Sequence, residues 1–202
     1  MHFVVLSSSR GTTFQAVLDA IADRSLTMQC SGLITDRADR GCMEKARRAN
    51  IPVVIIHKNP DESREEYDQK LSAAIEELTN KRTNEQTSKP VLACMGWMWI
   101  LSPWFIKKWK NKILNVHPSL LPKYPGIHAH EEVLAAKEKE SGMTIHLIDE
   151  GVDTGKILMQ KTCPVLPEDT VDSLKNRVQD LEKEWYPKVL QMIEEGEIQF
   201  VD

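Results

Sequence analysis

The chain begins with a short run of apolar residues, Phe3, Val4, Val5 and Leu6. A continuous apolar run bounded by turn residues predicts a buried strand. Ser7, Ser8, Ser9, Arg10 and Gly11 break the run. Phe14, Val17, Leu18 and Ile21 then recur at the three- and four-residue steps of an amphipathic helix. The alternation continues with a strand over residues 28–34, a helix over 42–50 and a strand over 53–56. A longer helix follows, with Tyr67, Leu71, Ala74, Ile75 and Leu78 on one face. Residues 79–89 contain no apolar side chain and are predicted to form a solvated loop. Beyond them come a strand over 91–95, a short helix opened by Ser102 as N-cap and Pro103 at the first helical position, and a strand over 113–117.

Strands alternating with helices in this way predict an α/β fold, a mostly parallel Rossmann-like sheet with helices on both faces. The remainder has a different pattern. A proline-rich loop carries Pro118, Pro122 and Pro125, and a helix over 131–139 follows it. Two strands, 144–148 and 157–165, are joined by a loop containing Asp149, Glu150 and Asp153. Val171, Leu174, Val178, Leu181, Trp185, Val189 and Met192 outline a final helix that Pro187 is expected to kink or split. No linker composition interrupts the chain, so residues 1–202 are expected to form one domain, with the last strands and helix completing it.

Composition narrows the function classes. The 202 residues are 41% hydrophobic and 28% charged, with a net charge of −4. That is enough apolar material for a core and too much for disorder. No basic run nominates nucleic acid or an acidic membrane as partner. No stretch approaches the ~18 apolar residues of a membrane span, and the N-terminus lacks the pattern of a secretory signal. Cys30, Cys42, Cys94 and Cys163 form no Cys-x-x-Cys pair and are expected to be reduced thiols of a cytoplasmic protein.

Candidate chemistry concentrates where strands end. Asn115 and His117 lie two apart on a strand and so share a face. The carboxyl ends of parallel strands line the ligand crevice of open α/β sheets. An amide donor and an imidazole there can hold a carbonyl oxygen as it becomes an oxyanion; the alternative is a histidine satisfied by a loop carbonyl. Asp153 near His117 would favour the imidazolium and create an acid–base pair, and the alternative is a solvated acidic turn. Asp149 and Glu150 are weak evidence for a hard metal. The turn through Arg10, Gly11, Thr12 and Thr13 precedes a helix, where backbone N–H groups attract phosphate. It matches neither common glycine-rich nucleotide motif, and a plain capped helix is the alternative. Trp97, Met98, Trp99, Ile100 and Leu101 suit the wall of a flat heterocycle or, alternatively, core packing.

Taken together, these segments resemble a known family. Asn-Val-His-Pro-Ser-Leu-Leu-Pro-Lys-Tyr-Pro-Gly, from Asn115 to Gly126, closely resembles the signature of the folate-dependent formyltransferases, in their phosphoribosylglycinamide branch. The resemblance runs nearly end to end, through Ser63-Arg64-Glu65-Glu66-Tyr67-Asp68, Ile100-Leu101-Ser102-Pro103, Val152-Asp153-Thr154-Gly155, Arg177-Val178-Gln179 and Glu182. It implies transfer of the formyl group of 10-formyltetrahydrofolate to the amine of glycinamide ribonucleotide. Asn115 and His117 would stabilise the oxyanion, with Asp153 supporting His117 and moving a proton. Arg10, Gly11, Thr12, Thr13 and Glu182 would bind the ribonucleotide. Arg64, Met98, Trp99, Ile100, Leu101 and Asp149 would bind the folate. No metal, nucleic acid or membrane is implied, and the protein is expected to be a monomer or weak homodimer. The sequence departs from the family where Arg10, Thr12 and Thr13 replace the usual phosphate-loop residues, where Trp99 stands in place of a common arginine, and at Lys156. Two alternatives remain: a formyltransferase or formyl-folate hydrolase with another amine acceptor, such as an amino sugar nucleotide, and a non-catalytic ligand-binding domain on the same fold.

Overall fold

The computed structural model describes residues 1–80 and 89–200. In chain order the elements are β1 (His2–Leu6), α1 (Thr12–Ala22), β2 (Gln29–Thr35), α2 (Gly41–Arg48), β3 (Val53–Ile55), α3 (Arg64–Asn80), β4 (Val91–Cys94), α4 (Pro103–Lys108), β5 (Ile113–His117), α5 (Ala129–Ala135), β6 (Glu140–Leu147), β7 (Ile157–Pro164) and α6 (Val171–Glu194). The strands make one seven-stranded sheet in the order β3-β2-β1-β4-β5-β6-β7. Pairings from β3 to β5 are parallel, and β6 and β7 add antiparallel. The mostly parallel α/β architecture read from the alternating pattern is therefore the observed one.

Pleat alternation divides the core between the two faces. Phe3 and Val5 of β1 pack with Phe14 and Val17 of α1 and with Leu174, Val178, Tyr186 and Val189 of α6. Val4 and Leu6 face the other way, onto Tyr67, Leu71 and Ile75 of α3 and Phe105 and Trp109 of α4. Successive side chains of a strand point to opposite faces, so one apolar strand can serve two helical layers. The cap on α4 matches its sequence signal: Ser102 Oγ accepts from Phe105 N at 3.2 Å.

Several elements depart from the sequence pattern. The helix expected over 131–139 ends at Ala135, and Lys137 turns the chain at φ 52°. The strand expected from residue 144 begins at Glu140. Its first residues are polar or glycine, yet Ser141 is 1% exposed because β7 pairs alongside. Pro187 lies buried inside α6, which runs unbroken from Val171 to Glu194, so the helix is not split. Packing of Leu174, Val178, Tyr186, Val189, Leu190 and Ile193 into the core outweighs the one backbone hydrogen bond that proline removes. Of the loop expected over 79–89, Thr79 and Asn80 belong to α3, and residues 81–88 lie outside the described residues.

The strand order reverses direction between β1 and β4, because the chain first adds strands on one side of β1 and then on the other. Loops leaving the carboxyl ends of such neighbours diverge and open a crevice. The turn after β1 is set by Gly11, at φ 76°, the N-cap of α1. A Cβ there would lie 2.8 Å from Cys42 Cα, so both conformation and space demand glycine. Gly11→Ala is expected to lower stability by about 2 kcal/mol or more in urea unfolding; a loss below about 0.5 kcal/mol would show that the turn tolerates a side chain.

Candidate active site

The crevice is a cleft of about 570 Å³ that draws on the ends of β1, β4 and β5 and on the β6–β7 loop. Asn115, His117 and Asp153 line its centre. Asn115 and His117 share one face of β5, as the two-residue spacing requires. Asp153 arrives from the β6–β7 loop at φ 55°, a left-handed conformation that aspartate tolerates better than most residues. Its Oδ2 accepts from Gly126 N at 2.8 Å and lies 3.2 Å from His117 Nδ1. The other ring nitrogen, His117 Nε2, lies 2.7 Å from the carbonyl oxygen of Tyr124. His117 thus meets both partners weighed from its sequence position, the loop carbonyl and the carboxylate. Both ring nitrogens face acceptors.

The proline-rich loop brings Tyr124 and Gly126 to these positions. Ser119 Oγ donates to Lys123 O at 2.6 Å, and Thr144 Oγ1 donates to Ser119 O at 2.7 Å. Leu121 N donates to Thr144 Oγ1 at 3.1 Å. The loop is therefore fastened both to itself and to β6.

A fourth polar side chain in the centre, His146, was not singled out from the sequence. It is 1% exposed. The antiparallel register places it opposite Asn115, whose Nδ2 is 3.3 Å from His146 Nε2. That same ring nitrogen lies 3.5 Å from Asp153 Oδ1, and His146 Nδ1 is 2.9 Å from Leu147 O. The available signal was the pleat that puts His146 on the same face as Thr144 within the expected strand. Burial by itself would push the Asp153 carboxyl up. The hydrogen bond from His146, the Gly126 N–H and the charges of both imidazoles outweigh it and hold the carboxyl below its usual range.

One end of the cleft is lined by Arg10, Thr12, Thr13 and Glu182. No side chain caps α1, so its first backbone N–H groups have no side-chain acceptor. Gly11 forms the turn itself and is not among the lining residues. Thr13 Oγ1 donates to Glu182 Oε2 at 3.0 Å. Glu182 shares its face of α6 with Gln179 and Lys175, one and two helical turns away, which also line the cleft. His130 joins them there with Nδ1 buried and unpartnered, and burial pulls its pKa down. Lys175, Gln179 and His130 carried no motif that marked them in the sequence.

The wall built by the β4–α4 loop is apolar. Met98, Trp99 and Ile100 are 63%, 38% and 64% exposed, whereas Met95 and Leu101 are buried. The segment therefore divides, with its ends in the core and its middle forming the wall of the cleft. Asp149 also lines the cleft, but its Oδ1 accepts from Gly151 N at 3.1 Å and Thr154 Oγ1 at 2.7 Å, closing its own turn. Arg64 is the first residue of α3 and is not among the lining residues. Among the described residues, no three His, Cys, Asp or Glu side chains are grouped to hold a metal ion.

With this geometry in hand, comparison with known proteins is direct. Residues 1–190 match the model of the formyl transferase family, and the chain belongs to that family. The phosphoribosylglycinamide formyltransferase of Escherichia coli is 33% identical over 198 residues, covering 98% of this chain and 89% of that protein. The trifunctional purine biosynthetic protein adenosine-3 of Drosophila melanogaster is 37% identical over 195 residues; the match covers 95% of this chain but only 14% of that much longer protein. The crystal structure of glycinamide ribonucleotide transformylase 1 from Symbiobacterium toebii superposes with a TM-score of 0.87 at 32% identity, over 97% of this chain and 88% of that one.

Burial raises the Glu182 carboxyl to about 7, against opposing contributions from the Thr13 hydroxyl and the Lys175 charge. Between the unfolded value near 4.5 and this one, the folded protein binds the extra proton. Glu182 therefore makes stability fall as pH rises through that window, and above it the fold carries a buried charge. Relative to wild type, Glu182→Gln is expected to gain about 3 kcal/mol in urea unfolding between pH 4.5 and pH 8. A pH-independent difference would refute the burial-driven shift.

Proposed function

We propose that the protein transfers the formyl group of 10-formyltetrahydrofolate to the amine of glycinamide ribonucleotide. The observation that carries this reading is the convergence of Asn115, His117 and Asp153 in a cleft lined also by a helix start suited to an anion and by an apolar wall suited to a flat ring. The names of the relatives support the same substrates.

The residues suit the charges that develop. As the amine nitrogen bonds to the formyl carbon, negative charge collects on the formyl oxygen and positive charge on the nitrogen. Asn115 Nδ2, 3.3 Å from His146 Nε2, carries two hydrogens and can offer one to the oxygen. His117 is the second donor, its Nε2–H passing from the Tyr124 carbonyl to the oxyanion while Asp153 holds the Nδ1 edge. Such preorganised donors stabilise a charge that exists only near the transition state. The amine then gives up a proton, the bond from carbon to folate N10 breaks, and N10 takes a proton. Asp153, kept ionised by its neighbours, relays the proton between the two nitrogens, directly or through a water. No covalent enzyme intermediate is required.

Substrate binding follows the polarity of the cleft. The phosphate of the ribonucleotide lies at the start of α1, where the N–H groups of Thr12 and Thr13 and the Arg10 guanidinium supply positive potential. Glu182 accepts from the ribose or amide end. Met98, Trp99, Ile100 and Leu101 cover the folate ring, with Asp149 shaping the loop beside it and Arg64 contacting the folate from the rim. A cytoplasmic enzyme acting alone or as a weak dimer, on small-molecule substrates and not on nucleic acid or membrane, fits this reading.

The test is a spectroscopic assay with both substrates. Formyl-folate should be consumed only when glycinamide ribonucleotide is present; consumption with another amine alone, or with none, would move the assignment to the alternative acceptor or hydrolase. His117→Ala is expected to lower kcat by at least about 100-fold, the scale of one lost oxyanion donor. Near-normal turnover would remove His117 from the mechanism.

A further inference from the structure

Behind the apolar wall of the cleft lies a polar bracket that the formyl-transfer chemistry does not use. Asp36 follows the last residue of β2 and is 3% exposed. Arg40 binds it through two parallel hydrogen bonds, Nε to Oδ1 at 3.0 Å and a terminal nitrogen to Oδ2 at 2.8 Å. Oδ2 also accepts from Trp99 Nε1 at 3.3 Å. Trp99 belongs to the β4–α4 loop, and β1 lies between β2 and β4 in the sheet. The bracket therefore spans the carboxyl edge of three strands.

Beneath the indole the packing is equally determined. Tyr67 is 1% exposed, and its hydroxyl donates to Ile56 O at 3.1 Å. The Tyr67 ring stacks on Trp97 at 6.4 Å and meets Trp99 at 6.0 Å with a 52° tilt. Trp99 is thus supported by a fixed ring and tied at its nitrogen, yet 38% of it remains exposed on the cleft. An exposed indole of the bulk surface can give its N–H to water and turn freely. Here the N–H is assigned to a buried carboxylate that an arginine already neutralises. This arrangement removes rotameric freedom before any ligand arrives, and such preorganisation is most useful where a flat surface must be presented in one orientation.

We infer that Asp36, held by Arg40, is a positioning residue that orients the Trp99 indole as a stacking platform for the conjugated ring system of the formyl-folate. The inference rests on the formyl-transfer reading and deepens it. It separates the apolar wall into a fixed part, Trp99, and an adaptable part, the unbranched Met98 beside it. Asp36 does not touch the substrate, and its influence passes through one indole.

Four variants of the full chain test this: Asp36→Asn, Trp99→Phe, Trp99→Ala and the double variant Asp36→Asn/Trp99→Phe. Two readouts are needed, steady-state kinetics with each substrate varied and quenching of tryptophan emission on titration with 10-formyltetrahydrofolate in the absence of acceptor. Trp99→Ala should raise KM for the folate by about fivefold or more, the scale of one lost aromatic contact, out of proportion to any change in kcat or in KM for the acceptor amine. Asp36→Asn and Trp99→Phe should each raise it by a smaller factor, and the double variant should be no worse than the worse single, because both changes break the same link. A purely structural role for Asp36 would instead make the two effects multiply and move both KM values together. That result, or an unchanged folate KM in Trp99→Ala, would overturn the inference. If Asp36→Asn fails to fold, Trp99→Phe against Trp99→Ala decides alone: equal folate KM values in the two would refute the platform. The wild-type titration keeps the two readings apart. Folate quenching without formyl transfer to glycinamide ribonucleotide would reject the proposed function and leave the platform standing.

Discussion

The centre of the molecule depends on one carboxylate. Asp153 meets three segments at one point: Gly126 of the proline-rich loop, His117 at the end of β5 and His146 on β6. Each partner presents nitrogen to it, and the cleft wall around it is only partly wet. A charge in such a place is stable only while its hydrogen bonds are complete. The same bonds that keep Asp153 ionised therefore fix the orientation of both imidazoles and the position of the loop. The candidate catalytic groups and the local structure depend on the same hydrogen bonds.

The sheet explains why that network lies in a cleft. The chain lays strands first to one side of β1 and then to the other, so the loops after β1 and β4 part and leave a crevice at their carboxyl ends. The antiparallel pair β6 and β7 then closes the far side and returns a loop to the centre carrying Asp153. The start of α1 and the exposed Met98, Trp99 and Ile100 line different walls of the cleft because they leave different strands, β1 and β4. The contrast between a polar and an apolar wall is thus a consequence of which loops meet at this edge. The Asp36–Trp99 bracket belongs to the same edge and ties the end of β2 to the apolar wall.

Much of this was legible before any coordinates. Apolar runs and helical periodicities located most elements, since strands and helices buried on known faces leave periods of two and 3.6 in the sequence. Boundaries were lost where burial came from a neighbour and not from the residues themselves, as in Glu140, Ser141 and Gly142 of β6, which are polar or small and pair with β7. Pro187 misled for a related reason. A local rule predicts a broken helix, but the apolar face of α6 is anchored along its whole length. At the site, Asn115 and His117 were visible as a pair because only two residues separate them, and Arg10, Thr12 and Thr13 because they adjoin a helix start.

What the sequence determined by itself was therefore everything encoded at short range: the alternation that defines the α/β class, the face shared by Asn115 and His117, the turn at Gly11, the cap at Ser102 and the motif resemblance to formyltransferases. The meetings across long separations had to wait for the folded chain. His146 faces Asn115 through the β5–β6 register, Glu182 is buried against Thr13, and Trp99 is tied to Asp36. Periodicity records which side of an element is buried but not which partner buries it. Register, strand order and loop return decide that partner, and they are set by the packing of the whole chain.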